Sequence, residues 1–107
     1  MKFDTTPAFD SDYRRLKPEH QDQFRAVVRD KFSPACDEWA AKAHDGRPYS
    51  WPASLRVSAM ARTPGIREMT LSSASPDGRA TFQLVNIDGE WHCRWRRIGD
   101  HSVFRNP

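Results

Sequence analysis

The sequence predicts an α+β fold in which an N-terminal helical hairpin packs on a four-stranded antiparallel sheet. Two observations carry that reading. Up to Gly46 the apolar residues recur every three to four positions, the spacing of a helical stripe; after Trp51-Pro52 they recur every second position, the spacing of a half-buried strand. A third closes the sheet: Asp88-Gly89, a favoured two-residue hairpin loop, separates alternating runs at 80–86 and 91–98.

Each element has a local cause. Phe9, Tyr13 and Leu16 mark a short amphipathic helix stopped by Pro18. The next helix opens at Pro18, with Glu19 and Asp22 beside the positive end of its dipole, and carries the stripe Phe24, Val27, Val28 and Phe32. Ser33 as N-cap and Pro34 at the first helical position would end it and start another, striped by Cys36, Trp39, Ala40 and Ala43 and stopped at Gly46. Together these two make the hairpin. Beyond Trp51-Pro52, Leu55, Val57 and Ala59 alternate with Ser54, Arg56 and Ser58, and Thr63-Pro64-Gly65 is a turn. Met69 and Leu71 alternate with Glu68 and Thr70 before a second turn at Ser75-Pro76-Asp77-Gly78.

With 107 residues, one domain spanning 1–107 is expected. Apolar residues are 37% and mean hydropathy is −0.82, yet twelve aromatics can fill a core. No run approaches the ~20 apolar residues of a membrane span and no cleavable signal opens the chain. Cys36 and Cys93 are far apart, and His20, His44, His92 and His101 show no ligand spacing. A cytoplasmic protein with two reduced thiols, no metal, no cofactor and no membrane association is expected.

The net charge of +3 resides entirely in residues 54–107, where eight bases, all Arg, face five acids. Arginine's planar fork fits phosphate bidentately. The alternative is an Arg-rich composition, since Arg outnumbers Lys throughout the chain. The two-residue loop pairs Phe82 with Trp95 and Leu84 with Cys93 on one face, Gln83 with Arg94 and Thr81 with Arg96 on the other, and sets Arg79 opposite Ile98. The open face then collects Arg56, Glu68, Thr70, Arg79, Thr81, Gln83, His92, Arg94 and Arg96, which reads as a phosphate-binding surface. Gly99 breaks the last strand and leaves His101 just past the sheet, at the same end as Arg79. A histidine for proton transfer and an arginine for the phosphorane match the needs of metal-free RNA cleavage.

These residues resemble the RelE/ParE superfamily of bacterial type II toxin–antitoxin toxins, and within it the ribosome-dependent mRNA interferases. The matching pieces are Phe9-Asp10-Ser11-Asp12-Tyr13-Arg14-Arg15-Leu16, Leu55-Arg56, Gly65-Ile66-Arg67-Glu68-Met69, Asp77-Gly78-Arg79-Ala80-Thr81-Phe82 and Ile98-Gly99-Asp100-His101-Ser102. The resemblance implies an endoribonuclease, held inactive by a cognate antitoxin, that cleaves mRNA on the ribosome in contact with rRNA. It implies His101 as general acid or base and Arg79 as the phosphate-stabilising cation. Arg56, Arg94 and Arg96 would be RNA-backbone contacts, and Phe104 a stacking or positioning residue. The family's Glu-Leu-Arg motif reads Glu68-Met69-Thr70 here, so one frequent active-site arginine is missing. Two alternatives stay open: a ParE-like non-enzymatic gyrase inhibitor, disfavoured by His101, and a catalytically degenerate RNA- or partner-binding member, favoured by Thr70.

Overall fold

The computed structural model describes residues 1–71 and 78–107. In chain order they form β1 (Lys2–Thr5), α1 (Pro7–Arg15), α2 (Pro18–Val27), a π-helical turn (Val28–Phe32), α3 (Ser33–His44), a 3₁₀ turn (Ala53–Leu55), β2 (Ser58–Ala59), β3 (Arg67–Thr70), β4 (Arg79–Ile87), β5 (Glu90–Gly99) and a final 3₁₀ helix (His101–Arg105). The α+β class is as expected. The turn expected at Ser75-Pro76-Asp77 lies outside the described residues.

The four-stranded antiparallel sheet is corrected to five strands in the order β1-β5-β4-β3-β2, with β1 parallel to β5 and the other neighbours antiparallel. Lys2-Phe3-Asp4-Thr5 holds one apolar side chain, so its period is silent in the sequence. The open edge of β5 recruits it, and Phe3 packs 6.3 Å from Phe32. Where β1 ends, α1 takes over that edge. The Thr6 amide donates to the Trp95 carbonyl (3.0 Å), and its hydroxyl donates to the Arg96 carbonyl (2.8 Å) while capping α1 at the Phe9 amide. Further along, the Asp12 carboxylate accepts from the Ile98 amide at 3.1 Å. Polar groups that a sixth strand would have satisfied are thus met by one helix.

The hairpin boundary at Ser33 is also corrected. Ser33 has helical dihedrals (φ −59, ψ −46) and donates to the Val28 carbonyl, five residues back, so α2 and α3 run on through the π turn as one rod. Pro34 explains this. It has no amide proton, and in a regular helix its ring would strike the carbonyl of Asp30; widening the preceding turn removes the conflict without a break. The helical hairpin is therefore α1 against the combined α2–α3 rod.

The expected strand at 54–59 shrinks to Ser58–Ala59. Its first residues form a 3₁₀ turn that buries Leu55, and Arg56 adopts a left-handed backbone (φ 49) that no strand accommodates.

The hairpin register holds for Phe82–Trp95, Gln83–Arg94 and Leu84–Cys93. It then shifts by one at a bulge, so Thr81 faces Arg97, Ala80 faces Ile98 and Arg79 faces Gly99. The reason is legible afterwards: strict alternation from Cys93 and Trp95 would drive Arg97 into the core and Ile98 out of it. One extra residue restores Ile98 to the buried side, where it is 2% exposed. The core between sheet and rod centres on Phe32, with Phe82, Trp95 and Trp51 at ring distances of 5.0, 4.8 and 5.9 Å. Burying each such side chain contributes roughly 1.5–3 kcal/mol.

Candidate active site

The site lies where β4 and β5 end. Gly99 pairs with Arg79, and a methyl group at Gly99 would stand 3.3 Å from Val103 Cγ1, so glycine lets the final 3₁₀ helix fold closely back on the strand. Asp100 caps that helix: its carboxylate accepts from the Ser102 amide at 2.8 Å, and this bonding to Ser102 holds its pKa below the usual carboxylate value. Val103 is buried and anchors the helix, which leaves His101 exposed and Phe104 half-buried.

In a 3₁₀ helix residues three apart eclipse one another. His101 and Phe104 are such a pair, with ring centroids 4.6 Å apart in an edge-on arrangement. From β4, the Arg79 guanidinium reaches to 6.0 Å from the Phe104 ring centre and donates to its neighbouring Gly78 carbonyl at 3.0 Å. Phe104 thus touches both residues expected to carry chemistry. A depression of about 630 Å³ opens beside His101 and Phe104, lined also by Arg62, Thr63 and Arg105. Arg62 and Arg105 are exposed and were not anticipated as site residues. Arg105 follows Phe104 directly and Arg62 adjoins the Thr63-Pro64-Gly65 turn, but neither belongs to an alternating run that would reveal its placement.

The other expected cations fare differently. Arg94 is clamped by both carboxylate oxygens of Asp4, at 2.8 and 3.3 Å. Arg96 donates to the Gln83 side chain and to the main-chain oxygen of Pro107, each at 2.9 Å. Arg97 grips Asp12 at 2.6 and 3.1 Å and also reaches the Asn106 carbonyl. Arg94 and Arg96 do share the open face with Arg79, Thr81 and Gln83, as their register requires. Arg56 does not join that face as expected, because it sits on a turn and has no place in a strand register. Among the described residues, no three His, Cys, Asp or Glu side chains gather as a metal site, and no helix is long and apolar enough to cross a membrane.

A parallel β1 beside β5, an antiparallel meander, a helical layer on one face and a short closing helix define a RelE/ParE-like toxin fold. Among solved structures, the chain is similar to the YoeB/ParE toxin from Agrobacterium tumefaciens, at 12% identity over 94% of this chain and 99% of that one, with a TM-score of 0.57. It is also similar to a metal-bound toxin from Helicobacter pylori, at 16% identity over 95% and 96% of the two chains, with a TM-score of 0.50. No family model matches the chain, and no curated protein gives a significant sequence match.

Proposed function

We propose that this protein is the toxin of a type II toxin–antitoxin pair and acts as an endoribonuclease that cleaves mRNA on the ribosome. The observation that supports this reading is the convergence of His101, Phe104 and Arg79 at the exposed end of the sheet. In the proposed reaction the 2′-hydroxyl attacks the adjacent phosphorus and loses its proton to a base. The 5′ oxygen leaves with a proton from an acid, and the products are a 2′,3′-cyclic phosphate and a 5′-hydroxyl end. His101 serves one of the two proton transfers. Arg79 stabilises the negative charge that builds on the phosphorane oxygens. Phe104 stacks a base and fixes the nucleotide against both. Arg62 and Arg105, beside the same depression, add backbone attraction, while Arg94 and Arg96 reach RNA only by exchanging present partners. These steps need no metal. The antitoxin silences the protein by covering this end of the sheet.

A second reading rests on Thr70. It pairs with Arg79 across β3 and β4, so the strand beside Arg79 supplies a hydroxyl where the family's motif carries an arginine. This favours a degenerate member that binds RNA or a partner without cutting.

Conditional expression with mapping of mRNA 5′ ends separates the readings. New 5′-hydroxyl ends within coding sequence, absent with His101→Gln, support the nuclease. Gyrase-dependent DNA breaks would instead indicate the ParE-like inhibitor, and neither signal would leave the binding module.

A further inference from the structure

Thr81 is a buried hydroxyl on the wrong side of the sheet. It lies on the open face between Arg79 and Gln83, yet is fully inaccessible. Residues 106–107 account for this. The Pro107 main-chain oxygen accepts from Thr81 Oγ1 at 3.3 Å and from Arg96 Nε at 2.9 Å, and the Asn106 carbonyl accepts from Arg97 at 3.1 Å. Gln83 holds the other side of the Arg96 fork at 2.9 Å. Three donors from β4 and β5, two of them cationic, therefore converge on the main-chain oxygens of residues 106–107. Cationic donors in a fork of this kind hold an anionic oxygen strongly.

We infer that Thr81 and Arg96 form a second phosphate seat for single-stranded RNA, and that residues 106–107 are a strap occupying it until RNA displaces them. The inference rests on the RNA-cleavage reading above and names its substrate geometry. Thr81 follows Arg79 by two residues on one strand face, an advance of about 6.8 Å. That step is comparable to the spacing of neighbouring phosphates in an extended strand. With Arg79 at the scissile phosphate, the next phosphate falls over Thr81 and Arg96, and the RNA runs along β4. Gln83 pre-orients the guanidinium, so the seat is organised before RNA arrives.

The test is binding of a short 2′-O-methyl RNA, which offers no nucleophile, to the full chain across a salt series. Arg96→Gln weakens binding by about tenfold or more, and the slope of log affinity against log salt becomes shallower by about 0.7, one phosphate contact. Arg96→Lys keeps the charge and loses the fork, and recovers the slope but only part of the affinity. Pro107→Gly loosens the strap without touching a donor, and tightens binding by about two- to fivefold. Thermal unfolding of each variant confirms that the fold persists. Unchanged affinity and slope in Arg96→Gln, or weaker binding in Pro107→Gly, overturns the seat and strap. If that happens while the parent protein cleaves mRNA through His101, the cleavage reading stands alone. If the variants behave as stated and the parent cleaves nothing, the seat stands and the cleavage reading fails.

Discussion

The two ends of the basic surface obey different rules. On the flank where β5 meets β1 and α1, arginines are committed to the protein: Arg94 to Asp4, Arg97 to Asp12 and the Asn106 carbonyl. At the end where β4 meets the final 3₁₀ helix, Arg79 bonds its own neighbour's carbonyl and lies beside an aromatic ring that also touches His101. The first set holds the sheet edge to the helix; the second sets a half-buried Arg79 beside Phe104 and an exposed His101. Counting arginines on a face therefore overstates its capacity for phosphate, and the partners of each decide what it can do.

The largest effect that sharpens this contrast is on rate. Arg79→Ala is expected to lower cleavage of ribosome-bound mRNA by about 10²–10³, with stability changed by no more than roughly 0.5–1 kcal/mol. Paired thermal melts and cleavage assays check it, and a matching loss of both would place Arg79 with the structural arginines. Asp12→Ala should do the reverse. Asp12 is 8% exposed, and its loss leaves the Ile98 amide without its acceptor and the Arg97 guanidinium with the Asn106 carbonyl in place of a carboxylate. The expected cost is about 3 kcal/mol, seen as a fall in Tm of more than about 10 °C, with cleavage retained below that temperature.

Those two residues also show what the sequence reveals and what it hides. Periodicity located the hairpin and put Phe82, Trp95 and Cys93 inside, because burial energy enforces a two-residue rhythm. The closing Gly99-Asp100-His101 and the turn-proximal Arg79 were likewise legible, since the end of a strand constrains the residues just beyond it. The bulge was not, although the three-residue gap from Trp95 to Ile98 is its signature. Nor was β1, where one phenylalanine among polar residues gives no rhythm and recruitment comes from a distant strand edge. Ser33-Pro34 was misleading for a similar reason: cap chemistry describes a helix start, whereas packing of Phe32 at the centre of the core kept the rod continuous. Which arginines are tied depends on Asp4, Asp12 and residues 106–107, none of them within the alternating run that forms β5.

A smaller effect concerns pH. Ionised Asp100 is favoured in the folded state, so its cap contributes fully above the ordinary carboxylate pKa of about 3.9 and is lost only as pH falls through its lower folded value. Exchange of the Ser102 amide should accordingly be insensitive to this cap between pH 5 and 8. Asp100→Ala should speed that exchange across the whole range and reduce cleavage by less than about tenfold, while Asp100→Asn restores both. A protection factor at the Ser102 amide that falls in the parent protein on going from pH 7 to 5 would show that another group holds the helix.

The division between structural and presenting ends is tested most directly by His101→Gln, which keeps the side chain's size and polarity but carries no proton at neutral pH. Its cleavage of ribosome-bound mRNA should fall by about 10²–10⁴ while its Tm matches that of the parent. Cleavage at the parental rate, or a drop in Tm that accounts for the lost activity, would contradict the account.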